Sequence, residues 1–204
     1  NKFFMFIFLL ISFLLSALIV KEFDVGFLIN TILITSAFFL FFITLRDFFL
    51  KRFKNLSQNI AHFGFSLFIL SILLNNIFST EVITNLKIGE TFKSEKLTIN
   101  FANIDQENGK NFKAIIGKFN VKYLDGSIDV LNPELRIYNQ PNIITSEADI
   151  KTNFFTDKFI TMNYVQNQEY FNIRYQVKPL MIWIWISVVL ISFSGILSVL
   201  KKKI

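Results

Sequence analysis

The sequence predicts an integral membrane α-helical protein: four transmembrane helices with an inserted extracytoplasmic all-β domain, a small antiparallel sandwich or barrel. Three observations carry that reading. Of 204 residues 52% are hydrophobic, and they fall in four continuous blocks near 3–20, 25–45, 57–79 and 180–200. Each block has about the 20 residues that cross a hydrocarbon core about 30 Å thick at the α-helical rise. Between the third and fourth blocks the pattern changes abruptly to alternation, and the cationic surplus lies beside the blocks.

In chain order, the first block is broken only by Ser12 and Ser16. A signal peptide is the alternative there, but no small-x-small cleavage site follows. Asn30, Thr31, Thr35, Ser36 and Thr44 interrupt the second block, and the third carries the single histidine, His62. The fourth opens on Trp183 and Trp185, indoles that favour a membrane interface and read first as anchors. Three helices are therefore expected in 1–79, the β domain in 80–177, and the last helix with a basic tail in 178–204. Position 1 is Asn rather than Met, so a fragment or a processed product is expected.

Charge sets the expected topology. Residues 80–177 hold 11 Lys and Arg against 12 Asp and Glu, although the chain carries +6 in total. The surplus sits in Arg46, Lys51, Arg52 and Lys54 and in Lys201, Lys202 and Lys203. A nucleic-acid partner would call for a basic face on the soluble part, so none is expected. Cationic loops instead mark the cytoplasmic side, which places 46–54, the tail and both termini inside and the β domain outside. The absence of cysteine excludes disulfides, thiolate metal sites and a Cys nucleophile.

Within 80–177, Leu97, Ile99 and Phe101, then Phe119, Val121 and Tyr123, then Phe171, Ile173, Tyr175 and Val177 alternate with polar residues. Period two over such lengths predicts half-buried strands, six to eight in all. Asp125-Gly126 reads as a two-residue hairpin and Asn108-Gly109 as a second turn. Asn132-Pro133 and Gln140-Pro141 mark strand starts or edges. The acidic residues look scattered, with no nucleophile–base pair, metal cluster or phosphate loop, so a folded docking domain is expected.

His62 is the one titratable group within an apolar block. At 3.6 residues per turn, Asn55, Asn59, His62 and Ser66 share a face, a polar stripe in the cytoplasmic half of an inward-facing helix. Gly64 would admit a neighbour or a flat ligand. An imidazole in a span serves as proton relay, metal ligand or haem ligand, or is simply packed and hydrogen-bonded. A relay would call for titratable groups at similar depth, and the other blocks offer none.

Read in order, A-H-F-G, I-G-E-T-F, L-N-P-E-L-R-I-Y, S-E-A-D-I and R-Y-Q-V-K-P-L-M-I-W-I-W make a pattern. It resembles the C-terminal part of the CcmF family, the haem lyase component of the system I cytochrome c maturation machinery. The resemblance runs from about Leu56 to the end. Pro133, Glu134, Arg136 and Tyr138 match the family's P-E-x-R-x-Y element, Glu147 and Ile150 its S/T-E-x-x-I element, and Trp183 and Trp185 its W-I-W element. Ser187 stands in place of a glycine, and Ser194-Gly195 in place of a Gly-Gly pair.

The resemblance implies a haem lyase subunit of a bacterial or mitochondrial inner membrane, with the β domain on the periplasmic or intermembrane side. It implies that His62 is one axial ligand of a membrane haem b, the second coming from outside this chain. The implied partners are the N-terminal half of the lyase, a haem chaperone, and apocytochrome c with its thiol-reducing and presenting subunits. Glu134, Arg136, Tyr138, Trp183 and Trp185 are implied as structural or partner contacts. The competing reading is a non-catalytic membrane-anchored β-domain protein, a sensor or assembly scaffold with His62 merely packed.

Overall fold

A computed structural model describes residues 2–23, 26–50, 55–165 and 169–201. The cations Lys51, Arg52, Lys54, Lys202 and Lys203 lie outside the described residues, and the side chain of Lys201 is not described. The chain divides into two compact units, a helical one formed by 1–78 and 179–204 and a β unit, Ser79–Lys178.

The helical unit comprises α1 (Lys2–Glu22), α2 (Phe27–Leu50), α3 (Leu56–Phe78) and α4 (Met181–Lys201). By length and composition all four can cross a membrane. Each packs on the next in chain order. Lipid tails are as apolar as leucine, so small and hydroxylated side chains rather than leucines hold such helices together. Ser12, Ser16, Thr31, Thr44, Ser66, Ser71, Ser187 and Ser194 are accordingly buried, whereas Phe3, Leu18, Leu28 and Phe65 are exposed. The Ser16 and Thr35 hydroxyls meet at 2.6 Å between α1 and α2. Thr44 and Ser66 do so, also at 2.6 Å, between α2 and α3. Most of the serine and threonine breaks in the apolar blocks thus lie on packing faces, with Ser36, Ser192 and Ser198 exposed instead.

Gly64 is buried where α3 meets α4: a Cβ there would lie 3.1 Å from Ile191 Cγ1 and 3.2 Å from both Leu190 Cβ and Ser187 O. The room beside Gly64 is thus taken by α4, the neighbour rather than a flat ligand. Ser57 Oγ donates to Ser194 O at 2.7 Å on the same seam, so the two serines replacing family glycines sit at helix contacts. Gly64→Leu is expected to part these helices, while Gly64→Ala requires a shift of only a few tenths of an ångström. In this cysteine-free chain, cross-linking of Ser57→Cys to Ser194→Cys should persist with alanine at 64 and fall several-fold with leucine.

Two helix ends differ from the expected ones. α2 continues past Leu45, so Arg46 is helical rather than part of the loop, 3.9 Å from Asp47. The extension is fastened by Phe48, which stacks on Phe63 of α3 at 5.4 Å. Asn55 precedes α3 at φ 60°, its carbonyl accepting the Asn59 N–H at 3.0 Å, and so does not join the helical stripe.

The β unit has ten strands: β1 (Thr80–Leu86), β2 (Thr91–Lys93), β3 (Leu97–Asn108), β4 (Phe112–Tyr123), β5 (Ile128–Leu131), β6 (Glu134–Tyr138), β7 (Ile144–Glu147), β8 (Asp149–Thr152), β9 (Thr156–Tyr164) and β10 (Phe171–Pro179). The excess over six to eight comes from β2, β5, β7 and β8, which span three or four residues and are too short to show a period. One sheet runs β1-β10-β9-β8, the other β2-β3-β4-β6-β7 with β5 also on β4. Ile99, Phe101, Phe119, Val121, Ile160, Met162 and Ile173, all at 0% exposure, fill the space between them. The architecture is therefore a sandwich. Pro133 and Pro141 fall between strands, where a missing N–H breaks no ladder. The Asp125-Gly126 turn is wider than two residues: Tyr123 N–H bonds Ser127 O at 3.0 Å, and Gly126 takes φ +83°.

Candidate functional site

His62 lies two turns into α3. Its side is exposed, and it makes no hydrogen bond or ion pair among the described residues. The inward-facing stripe expected from the helical wheel is therefore split. Ser66 is fully buried against Thr44 of α2, while His62, 40° round the helix, looks out of the bundle. Its actual stripe is Gln58, His62, Phe65, Ile72 and Asn76, all exposed, with half-buried Ile69 between. Ile69 and Ile72 also line a groove of about 350 Å³ with Leu33, Ala37 and Leu40 of α2. An unpartnered imidazole is thus continuous with an apolar surface. A ring nitrogen with no partner among the described residues is the kind of donor that haem iron takes.

In the β unit, alternation along β6 sends Leu135 into the core and leaves Glu134, Arg136 and Tyr138 on the opposite face. Arg136 Nε donates to Glu134 Oε2 at 2.8 Å, and its guanidinium lies 4.9 Å from the centre of the Phe112 ring on β4. Glu134 and then Tyr138 hold Arg136 above even its usual range. The register pairs Glu134 with Glu147 and Arg136 with Thr145, whose hydroxyl donates to Glu147 at 2.9 Å. The two sequence elements, P-E-x-R-x-Y and S-E-x-x-I, are therefore brought onto one sheet face, although the acidic residues look scattered in sequence. Ile150, by contrast, is on β8 in the other sheet. The Glu134–Arg136 pair is partly exposed to solvent, so Glu134→Gln should change stability only slightly, read from hydrogen exchange in β6.

Sequence reasoning missed a buried polar cluster. Asp129 of β5 is 8% exposed and accepts from Lys151 of β8, from Lys158 of β9 at 2.9 Å and from Tyr123 of β4 at 2.8 Å. Tyr123 meets Tyr175 of β10 at 2.8 Å, and the Lys158 ammonium sits 3.9 Å from the Tyr123 ring centre. Burial acts to raise the Asp129 carboxyl, but the two lysines and the phenol outweigh it and hold it well below the usual range. Burial, with the bonds to Tyr175 and Asp129, pushes the Tyr123 phenol up. The cluster ties one sheet to the other. The only sequence trace is I-D-V-L, a strand whose acidic residue takes a core position.

Trp183 and Trp185 lie in the first two turns of α4, with Trp185 65% exposed. Among the described residues no group of three or more His, Asp or Glu is placed to hold a metal ion.

Fold and site together define a membrane-type helical bundle carrying an inserted β-sandwich. Residues 77–179 match the family model described as the CcmF C-terminal β-sandwich, half of the chain. The chain belongs to the CcmF family. It is 29% identical over 143 residues to the cytochrome c-type biogenesis protein ccl1 of Rhodobacter capsulatus, covering 70% of this chain and 22% of that protein. The CcmF of Pseudomonas fluorescens is 28% identical over 146 residues, covering 72% of this chain and 22% of that one. NrfE of Haemophilus influenzae is 25% identical over 175 residues, 84% and 28% respectively. A solved structure titled cytochrome c heme lyase CcmF superposes with a TM-score of 0.70 at 16% identity, over 96% of this chain and 34% of that one, a likeness of fold. The chain thus spans between a fifth and a third of the proteins it matches.

Proposed function

We propose that this chain supplies the C-terminal portion of a haem lyase acting in cytochrome c maturation, with His62 as one axial ligand of a membrane haem b. The observation that carries the reading is the exposed imidazole on α3, turned out of its own bundle and without a partner among the described residues. Ionisable groups in spans face a protein interior, a cavity or a cofactor, so this face calls for an occupant beyond the chain. The second ligand then comes from the N-terminal half of the lyase, which would close over α3 from outside. A haem held there would supply one-electron chemistry.

This chain's residues do the holding. His62 offers a ring nitrogen, and the Thr44–Ser66 and Ser57–Ser194 contacts fix the rotation of α3 about its axis. The β-sandwich, on the periplasmic or intermembrane side, docks the haem chaperone or apocytochrome with its thiol-handling subunits. Its Glu134–Arg136–Tyr138 face, with Glu147 alongside, is the docking candidate, and Trp183 and Trp185 anchor α4 at the interface. Covalent attachment joins groups of haem and apocytochrome, so no catalytic residue is assigned here. The test is co-expression with the N-terminal half: a low-spin b-type spectrum that depends on His62 is expected. A complex that carries no haem while cytochrome c maturation proceeds would favour the scaffold reading.

A further inference from the structure

The turn between β8 and β9 displays two adjacent phenylalanines, Phe154 52% and Phe155 64% exposed, with ring centres 5.3 Å apart. The turn is well formed. Asn153 Oδ1 accepts from Phe155 N–H at 2.9 Å, from Thr156 N–H at 2.7 Å and from the Thr156 hydroxyl at 3.1 Å. Rigid display of two large apolar rings marks an interaction site rather than a loose loop.

Topology says which end of the β unit this is. β1 begins at Thr80 opposite Val177 of β10, so the chain enters and leaves at one end of that sheet. β9 lies next to β10, and their six-residue connection is too short for a parallel crossover. β9 therefore starts where β10 finishes, and the Phe154-Phe155 turn falls at the end shared by both chain exits. The β4–β5 turn joins it there. Of the residues that flank that turn, Asp129 accepts from Lys158 and the Tyr123 ring faces the same ammonium, and Lys158 pairs with Lys151 beside the β8–β9 turn. That second turn presents Leu124, 80% exposed.

We propose that Leu124, Phe154 and Phe155 form a lipid-inserting tip that enters the interfacial layer of the membrane crossed by α3 and α4. Only Ser79 separates α3 from β1, and only Leu180 separates β10 from α4. One residue reaches at most about 3.6 Å, so the start of β1 and the end of β10 are tethered to α3 and α4 by very short connections. Aromatic rings favour that layer, and the exposed Lys122 beside the tips can reach lipid headgroups. The proposal rests on the spanning of α3 and α4 and is independent of haem.

The chain lacks cysteine, so a single introduced thiol can carry a spin label without competition. In proteoliposomes of the full chain, labels at Phe155→Cys and, independently, Leu124→Cys should collide more with oxygen than with a water-soluble nickel chelate. A label at Asn108→Cys should show the reverse, because β3 carries that turn about 35 Å away, to the opposite end. Labels at 124 and 155 as open to the chelate as that at 108 would overturn the proposal. So would labels shielded from both reagents, which would mean that protein, not lipid, covers the tip.

Discussion

In the chain assembled with the N-terminal half of its lyase, His62→Ala is expected to abolish the low-spin b-type bands, and added imidazole to restore them. The ring makes no bond among the described residues, so its removal is expected to leave α3 in place. Protein abundance and helix content should therefore stay unchanged while the spectrum is lost. Imidazole rescue separates a missing ligand from a deformed pocket, because the free molecule can refill only a cavity that retains its shape. Bands that survive His62→Ala would remove His62 from the ligand set. A loss that imidazole cannot repair would reduce it to a packing residue.

The second large effect concerns Asp129→Asn, expected to destabilise the β unit by about 2–4 kcal/mol. The substitution leaves a half-buried lysine and a tyrosine hydroxyl facing a neutral amide. Lys158 carries most of this, since its side chain is 23% exposed, whereas Lys151 is 57% exposed and recovers its hydration. Faster hydrogen exchange in β5 and β9 is the measurement. The same carboxylate predicts an acid limit. Its folded value lies below its unfolded one, so its contribution is present in full above about pH 4 and is lost as pH falls further. Asp129→Asn should flatten that part of the stability–pH curve, and an unchanged acid slope would contradict the assignment.

What was legible in the sequence follows from what is local. The helices show as blocks because lipid demands apolar residues on every exposed side, and β3, β4 and β10 show as alternation because one face of each is buried. Glu134 and Arg136 can be paired by eye because they stand two apart on a strand. Asp129 cannot, because its lysines are 22 and 29 residues away and its own strand is inverted, with Ile128 and Val130 outside and Asp129 inside. For His62 the wheel gave the right phase and the wrong environment. A 40° offset separates the buried Ser66 from the exposed ring, and only the positions of α2 and α4 decide which side is covered. Gly64 was ambiguous for the same reason, until α4 proved to fill the space beside it.

The seam at Gly64 also has a history within each round of synthesis. α1, α2 and α3 can pair as they leave the ribosome, since each packs on its predecessor. The partners of Gly64 (Ser187, Leu190 and Ile191) are encoded on the far side of the β unit, about 125 residues later. At a translation rate of about 5–20 residues per second, α3 waits on the order of 6–25 s with that face turned to lipid or to a passing chaperone. The closing of α3 on α4 can come only after the whole β unit has been synthesised, which makes it a natural checkpoint in the folding of the bundle.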